Sequence, residues 1–397
     1  MVNTKHDAAS YENCSYEREM FNSNNLYKGF KKTKQNSDWK PSVQKYEMYF
    51  LSEISKLYSE IRNRTLEFSP CSEFVLRERG KVRLISGEKI RDRVVKSCLC
   101  VEELIPKIRP YLIHDNGASL EGKGIGFTRD RFERHLRQFY FKHKSNDGYI
   151  LLIDFSKYFD NLRHDHFLKI FKDIGIDADA LWLLEKTIEK SKVDVSYMSA
   201  EQYARCMGEL FSSLNYQKID KRLLTGEKMM DKHLNIGDQV AQIAGIAYPK
   251  DFDNYVKIVK GIKYYGRYMD DSYVIHENKT YLEELLKELV EVAAKIGITI
   301  NTRKTRICKL SSYWRFLQIQ YSLTETGRVI KKINPKRLTA MRRKMKKLAP
   351  VLSDKEFEDL FKSWFNNHYK IMSKQQRFNM NTLYEQLKGV KKCTASN

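Results

Sequence analysis

The chain has 397 residues, of which 42% are hydrophobic and 12% aromatic, so wholesale disorder is excluded. No apolar run approaches the roughly 18 residues of a transmembrane helix, and the N-terminus lacks the apolar core of a signal peptide. Lys and Arg number 72 against 50 Asp and Glu, and the resulting net charge of +22 indicates a polyanionic partner, the alternative being a merely basic soluble protein.

Cysteine usage indicates a reducing compartment. The chain has 7 cysteines, an odd number, and none of them forms a CxxC pair. A disulfide framework and a zinc ribbon are therefore both disfavoured. Reduced thiols are typical of cytoplasmic proteins, and this is the localisation that the sequence predicts.

In the N-terminal third, a polar stretch precedes alternating helix and hairpin patterns. Helical spacing is expected over 43–62 and again over 91–105. Between them, Phe74–Ile85 has apolar ends and a Gly80 turn, the pattern of a hairpin. This hairpin carries the basic residues Arg77, Arg79, Lys81 and Arg83.

The middle of the chain combines a glycine-rich loop, a basic helix and a buried strand. Residues 115–126 hold four glycines and predict a loop, and Phe127–Phe141 predicts a basic helix. Tyr149–Phe155 is a short apolar run that contains one acid, Asp154, which is typical of a buried strand. A mixed, mainly helical stretch follows over 163–233.

Further along, Tyr264–His276 reads as two β-rich runs joined by Asp270-Asp271, which predicts a tight hairpin. Thr280 and Glu283 predict the capping box of the next helix. Ser353 and Glu356 predict another box in an all-helical C-terminal region, where Asn334-Pro335 opens a helix. Residues 327–347 contain no acid and ten basic residues: Arg328, Lys331, Lys332, Lys336, Arg337, Arg342, Arg343, Lys344, Lys346 and Lys347.

The acids beside apolar strands are the first candidates for chemistry. A carboxylate in that position is costly unless it is paired or bound to a metal. Asp154, Asp270 and Asp271 on adjacent strands could hold two Mg²⁺ ions through oxygen ligands and catalyse an in-line phosphoryl displacement. The alternative for an isolated Asp-Asp is a polar turn.

Five motifs in order resemble those of reverse transcriptases over roughly residues 70–320. Tyr268-Met269-Asp270-Asp271 resembles the YxDD box, and Asp154-Phe155-x-x-x-Phe159-Asp160 resembles the first catalytic acid motif. Lys81-x-Arg83 together with Asp92-Arg93-Val94-Val95 resembles the fingers motif. Asn301-x-x-Lys304-Thr305 resembles the lysine motif, and Trp314-x-Phe316-Leu317 resembles the primer grip.

The resemblance implies an α+β fold, a right hand with fingers, an antiparallel palm sheet backed by helices, and a helical thumb. The expected parts are an N-terminal extension (1–50), fingers (51–113), a template loop with the first part of the palm (114–162), a helical insertion (163–233), the rest of the palm (234–325) and the thumb (326–397). Template RNA, a DNA primer or product and dNTPs are the implied ligands, with two Mg²⁺ ions as cofactors and Mn²⁺ as an alternative.

The resemblance also implies residue roles. The metals would be bound by Asp154, Asp270, Asp271 and the backbone carbonyl of Phe155. Lys304 would lie near the leaving pyrophosphate and donate a proton to it or neutralise its charge. The dNTP would be bound by Lys81, Arg83, Phe159, Gly237 and Gln239, with Phe159 excluding a 2′-hydroxyl. Nucleic acid would contact Lys123, Trp314, Phe316, Leu317, Arg342, Arg343, Lys346 and Lys347. Each assignment has a structural alternative: the charged residues could be solvated surface charges, the segment around Lys123 an ordinary loop, and Phe159 a packed core residue.

The segment around Gly237 departs from the group II intron form, because Ile236 stands in place of a Gln and Ala241-Gln242 in place of Ser-Pro. It is similar to bacterial and phage enzymes of the defence-associated, abortive-infection and diversity-generating kinds. That similarity implies a cognate non-coding RNA in antiphage defence. Three alternative functions stay open: diversity generation, template-independent or protein-primed synthesis, and non-catalytic binding of nucleic acid. An accessory protein or a second copy of the chain also stays open as a partner.

Overall fold

The structure is a computed structural model that describes residues 20–35, 37–78, 81–216 and 219–394. It mixes helices with antiparallel strand pairs, which confirms the predicted α+β class. The chain forms two compact units. The first contains the described residues up to Thr128, Ile153–Ser272 and Glu284–Thr305; the second contains Arg129–Leu152, Tyr273–Glu283 and Arg306 onward. Within the described ranges, no helix is both long enough and apolar enough to cross a bilayer.

The first unit begins with helices around a central helix, α4. The helices are α1 (Ser23–Lys34), α2 (Pro41–Met48), α3 (Phe50–Arg62) and α4 (Ile90–Cys98), which continues as a π-helical turn (Leu99–Leu104), α5 (Ile105–Ile108) and a 3₁₀ turn (Arg109–Tyr111). Helix α1 approaches α4 closely at Gly29, where an added Cβ would lie 2.9 Å from the Val94 carbonyl oxygen. The helix predicted over 43–62 is divided at Tyr49.

The predicted hairpin is confirmed in its strands. β1 (Ser72–Glu78) pairs antiparallel with β2 (Lys81–Gly87), and Ser72 lies opposite Gly87. The Gly80 turn and Arg79 lie outside the described residues.

The insertion over 163–233 is mainly helical and also contains two short strands. A 3₁₀ turn (Phe159–Asn161) leads to α7 (His164–Ile174), α8 (Ala178–Ser191), α9 (Ala200–Gly208), α10 (Ser213–Tyr216) and a 3₁₀ turn (Lys221–Leu223). Two short strands, β4 (Val193–Asp194) and β5 (Met229–Met230), pair antiparallel. Strands of two residues are too short to leave an alternating pattern in the sequence, and a small core of Val193, Val195, Phe211 and Met230 stabilises them.

A four-stranded sheet places the predicted acids at strand ends. Its order is β6 (Tyr265–Tyr268), β7 (Asp271–His276), β3 (Tyr149–Asp154) and β8 (Arg306–Lys309), and β3 pairs antiparallel with β8. Helices α11 (Gln239–Ala247), α12 (Lys250–Asn254), a π-helical turn (Tyr255–Val259) and α13 (Lys279–Lys295) complete this part of the chain. Helix α13 is capped by Asn278, which accepts from the Tyr281 N–H at 3.1 Å, rather than by the predicted Thr280.

The second unit contains most of α6 (Ile125–His143), a three-stranded sheet and a helical bundle. The sheet has the order β11 (Val329–Lys332), β10 (Ile319–Leu323) and β9 (Trp314–Phe316). The bundle comprises α14 (Pro335–Leu348), α15 (Asp354–His368), a 3₁₀ turn (Tyr369–Ile371) and α16 (Lys374–Thr394). Asn334 caps α14 and the Ser353–Glu356 box caps α15, as the sequence predicts.

Candidate active site

The two main candidate acids sit at neighbouring ends of β3 and β7. Asp154 is the last residue of β3, and Asp270 lies in the turn that leads to Asp271, the first residue of β7. The Phe155 N–H donates to the Asp270 carbonyl oxygen at 3.2 Å. Met269 has φ +53°, in the left-handed region that a tight turn requires. The local chain path therefore brings the two acid-bearing segments together.

Lys304 contacts the first acid directly. Its Nζ lies 2.9 Å from Asp154 Oδ1 and 2.8 Å from Oδ2. The approach is fixed by the backbone, because the Asn301 N–H donates to the Asp154 carbonyl at 2.7 Å and the Asn301 side chain accepts from the Lys304 N–H at 3.3 Å. The sequence motif Asn301-x-x-Lys304 thus forms a turn that delivers an ammonium group to Asp154.

Asp154 and Asp270 offer carboxylate oxygens, the donor type that hard divalent cations take. Across the described residues, no group of three or more His, Cys, Asp or Glu side chains could hold a metal ion by itself. Mg²⁺ sites in phosphoryl-transfer enzymes need only one or two carboxylates, because phosphates and water supply the remaining oxygens. The Lys304 ammonium on Asp154 shows that this carboxylate already accommodates a positive charge.

Phe159 and Met269 lie against the same point of α11. A Cβ added to Gly245 would fall 3.2 Å from Phe159 Cζ and 2.9 Å from Met269 Sδ. Both distances are shorter than ordinary packing, so a Cβ at this position would require Phe159 and Met269 to shift, and glycine avoids that shift. The Tyr158 hydroxyl donates to the Gly245 carbonyl at 3.1 Å and fastens the same region.

A buried ion pair supports the backbone of the Asp270 turn. Arg267 is 0% exposed, and its guanidinium donates to both carboxylate oxygens of Asp253 and to the Met269 carbonyl at 2.9 Å. It also donates to the Gly245 carbonyl at 3.0 Å. Burial by itself lowers the pKa of Arg267, but the Asp253 carboxylate raises it above its ordinary value, so the cation is retained.

A second buried ion cluster fixes the turn of Gly237 and Gln239. Asp238 caps α11 by accepting from the Val240 N–H at 2.8 Å, and Lys96 Nζ lies 2.5 Å from its other carboxylate oxygen. Lys96 also pairs with Glu88. Gly237 has φ +114°, and an added Cβ would lie 3.1 Å from the carbonyl oxygen of Ser86 at the end of β2. The hairpin therefore lies close to this turn at a position whose backbone conformation favours glycine.

The other predicted dNTP and template residues have separate positions in the first unit. Lys81 begins β2, and its side chain lies outside the described residues; Arg83 lies on the same strand opposite Leu76. Lys123 lies in the loop before α6, where its Nζ donates to the His114 carbonyl at 2.8 Å and sits over the Phe127 ring. Lys123 thus stabilises the loop in this structure.

The predicted primer-grip side chains are buried in the second unit, which changes how they can act. Trp314, Phe316 and Leu317 are 2%, 3% and 7% exposed. The Phe316 ring packs against Phe132 at 4.9 Å between centroids. These side chains pack in the core, and the Leu317 carbonyl at the turn accepts from Arg129 at 2.8 Å. A contact of this segment with nucleic acid stays a prediction.

The basic residues of α14 separate from its apolar stripe as the sequence predicts. Leu338, Met341 and Met345 face the bundle core. Arg343, Lys346 and Lys347 are exposed and Arg342 is half-buried.

A family model described as reverse transcriptase (RNA-dependent DNA polymerase) matches residues 75–321. The match covers the strand-end acids, the Gly237 turn and the lysine turn. The chain belongs to the reverse transcriptase family. No curated protein sequence matches it.

Two solved structures are similar at low identity. One is apo telomerase from Candida tropicalis, with 13% identity, a TM-score of 0.46 and coverage of 67% of this chain and 49% of that chain. Another is telomerase from Candida albicans in complex with a TWJ fragment of telomeric RNA, with 11% identity, a TM-score of 0.44 and coverage of 87% and 59%. This reverse transcriptase chain therefore spans less than two thirds of either structure.

Sequence reasoning missed the buried charges of the site. Arg267, Asp253 and Lys96 are all at most 1% exposed, yet in the sequence they resemble surface charges. The one available signal is that Arg267 lies within an apolar β-rich run, where an unpaired cation would be costly.

Proposed function

We propose that the chain is an RNA-directed DNA polymerase that joins dNTPs to a 3′-hydroxyl by two-metal phosphoryl transfer. The observation that carries this proposal is the pairing of the Asp154 and Asp270 segments within a chain that matches the family over residues 75–321. Divalent cations, when bound, neutralise the phosphates and stabilise the attacking and leaving oxygens. Asp154, Asp270, Asp271 and the Phe155 carbonyl are the proposed ligands, with Mg²⁺ favoured over Mn²⁺.

The Lys304–Asp154 pair supports a second role in the same reaction. Asp154 would hold a divalent cation through the carboxylate oxygens that Lys304 now contacts, so the Lys304 ammonium would then lie elsewhere. The side chain is 53% exposed, which leaves it free to turn toward a departing pyrophosphate. We therefore assign Lys304 to neutralising or protonating the leaving group.

Substrate selection would rest on the surfaces around Gly237 and Phe159. Arg83 and Lys81 on the hairpin would neutralise the triphosphate, while Gly237 and Gln239 lie at the turn joined to that hairpin. Phe159 would exclude the 2′-hydroxyl. Lys123 and the exposed face of α14 would hold the template and the product through phosphates.

Incorporation of labelled dNTPs, with and without added RNA after nuclease treatment, tests the proposal. RNA-dependent incorporation of all four dNTPs is expected. Incorporation that needs no template, or product covalently attached to protein, would instead favour template-independent or protein-primed synthesis.

The finer role that we propose is antiphage defence by a bacterial or phage enzyme in the cytoplasm, together with a cognate non-coding RNA. Its support is the similarity of the Ile236–Gln242 segment to defence-associated enzymes. Diversity generation is the alternative that the same segment allows, because Ile236 cannot make the hydrogen bond of a glutamine. Sequencing RNA that copurifies with the protein tests the role: one defined non-coding RNA is expected, and a template repeat copied with many errors would favour the alternative.

A further inference from the structure

The turn that carries Phe159 is held by the returning end of the insertion. The Leu234 N–H donates to the Phe159 carbonyl at 2.9 Å, and the His233 N–H donates to the Leu162 carbonyl at 3.1 Å. The His164 N–H donates to the Asp231 carbonyl at 3.0 Å. Residues 231–234 therefore run alongside the 3₁₀ turn Phe159–Asn161 and its exit.

A buried side-chain pair adds to this backbone ladder. His233 is 4% exposed, with Nδ1 3.0 Å from Asp160 Oδ1 and Nε2 3.2 Å from Asn235 Oδ1. Asp160 directly follows Phe159. The imidazole therefore joins the residue next to the predicted gate to the insertion, and an Nδ1–H donor would make this bond charge-assisted.

The backbone of His233 is strained, which singles this residue out. Its φ is +107°, a conformation that is unfavourable for a non-glycine residue and persists only where surrounding contacts impose it. Here the contacts are those to Asp160, Asn235 and Leu162, together with the His164 Nε2, 2.7 Å from the His233 carbonyl oxygen. Strain of this kind concentrates at functional sites.

Phe159 is thus fixed from two directions. Its ring lies against Gly245 of α11, while its carbonyl and its neighbour Asp160 are held by residues 233 and 234. A displacement of the Asp160 contact would let the turn shift away from α11 and deepen the space beside the ring.

We propose that His233 is a positioning residue for sugar selection: it holds Asp160, and through it the Phe159 ring, at the depth that excludes a 2′-hydroxyl. This inference rests on the proposed polymerase function. It gives the insertion a role in substrate choice, although the insertion carries none of the assigned catalytic residues.

The test compares kcat/KM for a dNTP and for the matching rNTP in single-nucleotide extension. His233→Asn keeps a residue type that tolerates positive φ but is too short to maintain the Asp160 contact. We expect the dNTP-to-rNTP ratio to fall on the order of tenfold, because small misplacements at a reacting centre have effects of this size or larger. His166→Asn is the matched control, since His166 packs on Tyr248 at 4.6 Å between ring centroids and should leave the ratio unchanged.

Two variants on the other side of the contact keep the test decisive if His233→Asn does not fold. Asp160→Ala should lower the dNTP-to-rNTP ratio as His233→Asn does. Asp160→Asn retains an acceptor for the imidazole, so its ratio should stay close to that of wild type. Equal losses for dNTP and rNTP in His233→Asn and Asp160→Ala, or an unchanged ratio, would overturn the inference. A wild-type protein that incorporates no dNTP would contradict the proposed function instead, so the two failures are distinguishable.

Discussion

Replacing Lys96 with Met removes the cation from a buried cluster beneath the Gly237 turn. Lys96 is 1% exposed, and its partners Glu88 and Asp238 have side chains 4% and 2% exposed. Truncating one partner of a buried ion pair typically costs about 3–5 kcal/mol, because the remaining charge stays desolvated. Two carboxylates remain here, so we expect Lys96→Met to lower the free energy of unfolding by about 3–5 kcal/mol at pH 7.5.

The loss should depend on pH in a defined direction. Burial, and then the neighbouring Asp238, raises the pKa of Glu88, while Lys96 partly lowers it. Without Lys96 the Glu88 pKa rises further, so the folded state binds more protons than the unfolded state near neutral pH. Stability of the variant then falls as pH rises, and acidification from pH 7.5 to 5.5 should reduce its deficit relative to wild type.

Urea unfolding followed by circular dichroism at both pH values measures the effect. Lys172→Met is the matched control, because Lys172 and Glu185 form an ion pair at 2.9 Å with side chains 50% and 45% exposed. An exposed pair of this kind contributes about 1 kcal/mol or less. A Lys96→Met variant as stable as the control, or a deficit that is the same at both pH values, would refute the reasoning.

Three further predictions concern the site and the nucleic-acid surface. Gly245→Ala should lower kcat/KM for dNTPs about tenfold, because the new Cβ displaces Phe159 and Met269. Gly208→Ala is the control and should leave kcat/KM unchanged, since nothing lies within 4 Å of its new Cβ. Equal kcat/KM for the two variants would contradict the packing argument. Lys304→Gln should tighten Mn²⁺ binding to the free protein, read by electron paramagnetic resonance, because the competing ammonium is gone; weaker binding would contradict this. Gln at four basic positions of α14, three of them exposed and one half-buried, should reduce the slope of log K against log salt for RNA by about 0.7–0.9 per phosphate contact. An unchanged slope would remove α14 from the binding surface. These positions are Arg342, Arg343, Lys346 and Lys347.

The elements that the sequence predicted well are those with local signals. The strand ending at Asp154 and the hairpin at Asp270 are short apolar runs broken by acids, and the caps at Asn334 and Ser353 have defined spacing. The Gly237 turn was located by its glycine, and its φ of +114° explains why glycine is required there. In each case the physical cause lies within a few residues of the pattern.

The contacts that the sequence could not supply join distant residues. Lys304 and Asp154 are 150 positions apart, and Lys96 and Asp238 are 142 apart. No periodic pattern records such pairs, and a charged residue gives no local sign of being buried. For the same reason the sequence gives no sign that the side chains of Trp314 and Phe316 are buried, Phe316 against the Phe132 ring.

The most direct test of the polymerase assignment is RNA-templated dNTP incorporation by Asp270→Asn. The substitution removes one carboxylate charge at the turn beside Asp154 and keeps the side-chain volume, so circular dichroism should match wild type. Asp173→Asn is the control, because Asp173 lies on α7 in an exposed ion pair with Lys169. We predict that Asp270→Asn loses at least about 99% of incorporation while Asp173→Asn retains it. An Asp270→Asn variant that keeps more than about a tenth of wild-type activity would contradict the metal-dependent mechanism.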